Sequence, residues 1–253
     1  MKLKLSTTLI LVVFSFYSIF SYAAEEAPSM AEMWIVKVEL KDTQAFIKAF
    51  EEHTKYRIAK KDPRKWKVYS PVTGDDFGTY YIRFCCITWK DVDSYTEWSD
   101  KNGLNENWAK TAGKYVQHVE HYFSNLDFKN SKWPEKDPGF KYFEVISFSP
   151  KSGMSAKIEA QKAEISRAAI AMNWPYSWSW GWRIGGENQL SLVIPYMNYA
   201  GMEDPEMSFT QALGKHMKDP EKASKLMQDW SNNFSSTYSS IVRLRKEMSM
   251  PDD

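Results

Sequence analysis

One order of elements is written twice along this chain. From Trp34 to Phe128, and again from Phe140 to Lys246, the residue pattern reads strand, helix, strand, tight turn, strand, helix, strand. Each such run makes a four-stranded sheet with helices on one face and a bare face on the other. An apolar sheet face has to be buried against something. Two runs in one chain can bury their bare faces against each other, and that requirement constrains the fold more than composition does.

In the first half, Trp34, Val36, Val38 and Leu40 alternate with Ile35, Lys37 and Glu39, the period of a strand. Phe46, Ile47, Phe50, Thr54 and Ile58 then recur at helical spacing behind the capping pair Asp42 and Thr43, and Asp62-Pro63 stops them. Trp66 to Ser70 and Thr79 to Trp89 read as strands around a turn at 71–76. A helical region opens at Asp91, breaks at Asn102-Gly103 and resumes from Glu106 to Lys114, and Tyr115 to Phe123 is the fourth strand. The second half gives strands at Tyr142–Phe148, Tyr176–Ile184, Gln189–Tyr196 and Tyr238–Leu244, with helices marked by Ile158, Ile165 and Met172 and by Leu213, Leu226 and Trp230. The two halves share a Trp in the second strand, Trp66 and Trp180, and a Tyr opening the fourth, Tyr115 and Tyr238.

Residues 1–23 read as a secretory signal peptide. Lys2 and Lys4 precede an apolar run from Leu9 to Phe20, and Ser21-Tyr22-Ala23 puts small residues at the cleavage positions. The run is shorter than a spanning helix needs. The expected organisation is therefore a leader at 1–23, a first half at 24–128, a polar linker with two prolines at 129–139 and a second half at 140–253. An exported, periplasmic or extracellular protein follows, without stable membrane insertion after cleavage. Removing Lys2 and Lys4 leaves 31 basic against 32 acidic side chains, a net charge of −1. That balance speaks against a nucleic-acid binder.

Each half follows the ferredoxin-like βαββαβ plan, so the expected fold class is α+β. On this element order the chain resembles the dimeric α/β-barrel superfamily, fused in tandem as a pseudo-dimeric barrel. Antibiotic-biosynthesis-type monooxygenases, NIPSNAP-like proteins and chlorite-dismutase-like haem proteins share that shape. The resemblance covers most of the mature chain and implies a cavity between the sheets. It carries over no site residues, because no family motif is matched in order and spacing.

Several residues invite chemistry. Trp178, Trp180 and Trp182 share one strand face with Tyr176, opposite Ser177, Ser179, Gly181 and Arg183. They form either an aromatic wall for a flat or apolar ligand or a ladder packed against helices. His118 and His121 point to opposite faces of one strand, so they cannot readily share a metal, and no metal site is expected. Either alone could act as a general base or as an axial ligand of haem. The charged residues Glu39, Arg83, Glu144 and Arg183 lie in apolar strands and could hold polar groups of a ligand, pair across the halves, or line a solvated edge. Cys85 and Cys86 are expected to be two small buried hydrophobes, since neighbours in an extended strand point apart, with a vicinal redox or metal pair as the alternative that no nearby His or Cys supports. The leading expectation is a small-molecule binding protein using a cavity between two sheets. A cofactor-poor monooxygenase or haem protein on that cavity is the first alternative, and a protein-interaction module the second. A homo-oligomer stays open.

Overall fold

A computed structural model describes residues 28–251; the expected leader lies outside the described residues. In chain order come β1 Met30–Val38, α1 Thr43–Ala59, β2 Lys67–Pro71, β3 Thr79–Ile87, α2 Trp89–Lys101, α3 Leu104–Lys110 and β4 Val116–Leu126. The second half gives β5 Tyr142–Pro150, α4 Ser155–Ala171, β6 Ser179–Ile184, β7 Leu190–Tyr196, α5 Phe209–Met217, α6 Pro220–Ser231 and β8 Phe234–Leu244. This is the βαββαβ order twice, with the second helical region of each half split. In the second half the split falls where Pro220 opens α6 behind Asp219, whose side chain accepts from the Lys222 backbone.

The eight strands close into one antiparallel barrel in the order β1-β3-β2-β8-β5-β7-β6-β4. The halves meet at two seams. Tyr69, Ser70 and Pro71 of β2 face Leu244, Arg243 and Val242 of β8. Phe123 to Leu126 of β4 face Ile184 to Gly181 of β6. Each strand thus has a neighbour on both sides, although the seams pair only the ends of β4 and β8.

Strand alternation then sorts the residues. Val36, Val38, Val68, Tyr80 and Ile82 turn outward and pack with Phe46, Ala49 and Phe50 of α1. Phe148, Trp178, Trp180, Leu190 and Phe234 turn outward in the second half, against Ile158, Ile165, Leu213, Leu226 and Trp230. Phe143 and Val242 turn inward, with Phe140, Tyr69, Tyr81, Val145, Val193 and Leu244 around them. Trp133 stacks on Phe143 at 6.5 Å and meets Phe140 edge-on at 5.9 Å. The bare sheet faces thus shield one another, as the repeated order demands. Beyond β8 the chain crosses to the first half, where Met248 and Met250 join the outward core and the Met250 amide donates to the Trp66 carbonyl at 2.9 Å.

Three sequence expectations are corrected. The last strand begins at Phe234, so Tyr238 lies in mid-strand and does not correspond to Tyr115, which sits in a 3-10 turn before β4. β6 begins at Ser179, after Tyr176. Cys85 and Cys86 are bridged to each other across a cis peptide bond with their Cα atoms 3.0 Å apart, and Cys86 is exposed. The opposed directions of neighbouring side chains hold for trans extended backbone, and the cis bond removes that premise. Among the described residues no helix is long and apolar enough to cross a membrane.

Candidate functional site

The outward side of the second half carries both the aromatic ladder and a cavity. Trp178 exchanges backbone hydrogen bonds of 2.9 Å with Lys132 of the linker, which fixes its direction before β6 begins. Its indole N–H donates to the Asn130 carbonyl at 2.8 Å, and that of Trp180 donates to Ser166 Oγ of α4 at 3.1 Å. With their polar edges satisfied, the two rings are 5% and 4% exposed and offer flat apolar faces. A cavity of about 860 Å³ lies over them. Its floor is the sheet: Phe148, Trp178, Trp180, Leu192, Ile194 and Tyr196. Its roof is Ile165 and Ala169 of α4, Phe209 of α5, and Met227 and Trp230 of α6, with Trp174, Tyr176, Met202, Asp204 and Pro205 completing the wall.

The polar groups of this cavity are few. Glu144 on β5 accepts from Tyr196 Oη at 3.2 Å and from Ser239 Oγ at 3.2 Å. Burial, together with the Glu144 and Asp204 charges, pushes the Tyr196 phenol well above its ordinary range, so it stays a proton donor. The corresponding side of the first half receives side chains from the far end of the chain. There Met248 and Met250 of the tail, Trp66 and Phe50 belong to one packed cluster, and Arg64 lies 3.7 Å over the Tyr95 ring.

A second polar group sits inside the barrel. Arg183 Nη2 pairs with Glu120 Oε2 at 2.8 Å, lies 4.0 Å over the Tyr122 ring and donates from Nε to the Gly185 carbonyl at 2.9 Å. The bond from Arg183 holds the Glu120 carboxyl below its usual range against the cost of partial burial. His118 Nε2 lies 3.4 Å from Glu120 Oε1 and is largely exposed. Arg83 stands opposite Met33 and Lys67 on the inward face.

The residues singled out in the sequence therefore fall into separate places. Trp178, Trp180 and Glu144 come together at the cavity. Trp182 is outside its lining and donates to Glu159 on α4. Arg83, Arg183 and His118 lie on the inward strand face, His118 at its exposed end. Glu39 is a surface residue paired with Lys41 and Gln117. His121 stacks on Trp34 at 3.8 Å on the outer face of the first half, with Nε2 3.0 Å from Glu32 Oε1. Burial alone would raise the Glu32 carboxyl, but the His121 hydrogen bond, the Arg64 charge and the Trp34 N–H outweigh it and hold it down. The cavity was expected between the sheets; the space described here lies on the outward face of the second sheet, while on the inward side Phe143 and Val242 pack with Tyr69, Tyr81, Val145, Val193 and Leu244. Sequence reading missed Tyr196, Phe209, Asp204 and Trp230 as wall residues. Only Trp174 and Tyr176 carried a signal, as neighbours of the tryptophan run.

The resemblance to chlorite-dismutase-like haem proteins implies haem, and the residues of this cavity do not fit a histidine-ligated haem. None of the cavity's lining residues is His, Lys or Arg, so it offers neither an imidazole ligand nor a cation for the two propionates. His118 and His121 both lie on β4 of the first half, outside the lining. Among the described residues no group of three or more His, Cys, Asp or Glu is placed to hold a metal ion.

No protein-family model matches the chain, and no curated protein matches it in sequence. Solved structures do share its architecture. A candidate monooxygenase from Lactobacillus acidophilus NCFM is 11% identical with a TM-score of 0.51, covering 90% of this chain and all of its own. An anthrone oxidase-like protein is 8% identical with a TM-score of 0.56, over 87% and 92% of the two chains. A mutant chlorite dismutase from Candidatus Nitrospira defluvii is 8% identical with a TM-score of 0.53, over 88% and 94%. At such identity the likeness speaks to the α+β barrel fold and leaves function to the site.

Proposed function

We propose that this chain binds a small, mainly apolar molecule with a flat or aromatic body in the cavity between the second-half sheet and α4, α5 and α6. One observation carries the reading: a space of about 860 Å³ lined by eight aromatic residues, beside the buried apolar cluster of the second half. On this reading Trp178 and Trp180 are the platform and Glu144 is a polar anchor, while Trp182, Arg83, Arg183 and Glu39 take no part. The interaction-module alternative needs the tryptophan run at the surface, and Trp178 and Trp180 are buried. Export belongs to the proposal as well, supported by the apolar run from Leu9 to Phe20 and the small residues ending at Ala23.

A second reading keeps the cavity and adds catalysis. Structures of this fold include a candidate monooxygenase and an anthrone oxidase-like protein, and Glu144 with Tyr196 sets a carboxylate and a phenol beside an aromatic wall. Such an enzyme would take dioxygen as its oxidant and consume it in the presence of a phenolic substrate.

The test of the binding reading is titration with the neutral fluorophore N-phenyl-1-naphthylamine. Ala169 is buried and lines the roof, so Ala169→Phe fills the cavity. The wild-type chain should bind one probe with quenching of its tryptophans, and the variant should bind about tenfold or more weakly. Equal binding by both would refute the proposal.

A further inference from the structure

The cavity has an electrostatic sign. Two carboxylates line it, Glu144 in the floor and Asp204 at the rim, and no basic side chain does. Glu144 accepts two neutral hydroxyl donors, and among the described residues no Lys, Arg or His side chain forms an ion pair with it. Arg243 stands opposite Tyr142 in the β5–β8 register, two residues from Ile241, and is outside the lining.

The aromatic groups near these carboxylates are arranged as a corner. Tyr176 and Tyr196 have ring centroids 5.8 Å apart at 70°, and Trp174 and Tyr176 lie 6.0 Å apart at 66°. All three rings line the cavity, and Tyr176 meets both of the others in edge-to-face contacts. The Tyr176 hydroxyl is tied to the Glu203 carbonyl at 2.7 Å, which holds that ring to the segment bearing Asp204. Ring faces carry negative potential and attract cations, most strongly where water is excluded. A carboxylate at the edge of such a corner adds to the attraction, whereas an anionic ligand would meet only repulsion.

We infer that the ligand carries a positive charge: an aromatic or otherwise apolar body bearing a protonated amine or quaternary ammonium, its cationic end in the corner formed by Trp174, Tyr176 and Tyr196 with Glu144 and Asp204, and its flat body over Trp178 and Trp180. The inference deepens the binding proposal and rests on it. It also accounts for the chemistry of the walls, since a purely apolar ligand would gain nothing from an uncompensated Glu144.

The test uses displacement of N-phenyl-1-naphthylamine from the full chain by three matched compounds. These are (2-naphthylmethyl)trimethylammonium, its neutral isostere 2-neopentylnaphthalene, and the anion 2-naphthylacetate. The cation should displace the probe at a concentration about tenfold below that of the neutral isostere, with the anion weakest. Glu144→Gln keeps the size and hydrogen-bonding capacity of the side chain while removing its charge, and should cut the cation-to-neutral ratio by about fivefold. Asp204→Asn, at the exposed rim, should cut it less. If probe and neutral isostere bind well but the cation has no advantage, or Glu144→Gln leaves the ratio unchanged, the inference falls and the binding proposal stands. If the wild-type chain takes up neither the probe nor any of the three compounds, both fall together.

Discussion

At the scale of single residues, the first half contains a buried group whose protonation state governs stability. His53 on α1 is fully buried, accepts from Arg57 Nε at Nε2 over 2.9 Å and sits 2.7 Å from Asn107 Oδ1 through Nδ1. Because Nε2 is an acceptor, Nδ1 carries the proton and donates to Asn107. Burial, reinforced by the Arg57 charge, lowers His53 to about 4 from its ordinary 6.5. The unfolded chain therefore binds a proton that the folded chain refuses. The neutral imidazole's contribution is complete above about pH 6.5 and is lost progressively as pH falls toward 4, amounting to about 3 kcal/mol. Urea unfolding midpoints of the wild type should drop between pH 7 and pH 5 by more than those of His53→Gln. Parallel pH profiles for the two proteins would remove His53 as the cause. Nothing in the sequence announced this: helical spacing puts His53 near Phe50, but its burial depends on Asn107 and Trp108, more than fifty positions away.

At the scale of elements, the turns decide whether the strands register. Gly78, just before β3, has φ of +88°, and a Cβ there would stand 2.5 Å from the Val38 carbonyl oxygen. That carbonyl ends β1, and the Val38 amide donates to Gly78 O at 2.9 Å. Gly153, ahead of α4, has φ of +78° but open space around it. Gly78→Ala should therefore cost roughly 2 kcal/mol or more, and Gly153→Ala closer to 1 kcal/mol, in chemical denaturation. Equal costs would mean that backbone conformation alone, without the Val38 contact, sets the penalty. The elements themselves were legible because periodicity is a local property. Val36 and Val38 alternate with Lys37 whatever surrounds them, and Phe46 and Phe50 mark a helix by spacing alone. Strand ends were less legible. Phe234 to Thr237 pair with Phe148 to Pro150, and a serine-rich stretch joins a strand there because β5 supplies its partners, not because its side chains favour one.

At the scale of the whole molecule, the repeated order fixed the barrel, since two bare sheet faces had to meet. It did not fix the cavity. Alternation put Trp178 and Trp180 on one face but gave that face no direction; only helix packing made it the outer one. Whether an outer face is filled or hollow is set from a distance. In the first half the tail delivers Met248 and Met250 from beyond β8. The outward core of the second half draws only on residues between Ile146 and Phe234, and space remains over its tryptophans. The binding proposal depends on this asymmetry between the two outward cores. Hydrogen-exchange mass spectrometry of the chain saturated with N-phenyl-1-naphthylamine tests this most directly. The account predicts added protection in 158–182, 190–196 and 223–231, around the second-half cavity; protection centred instead on 33–37, 79–83 and 118–122, the inward strands of the first half, would contradict it.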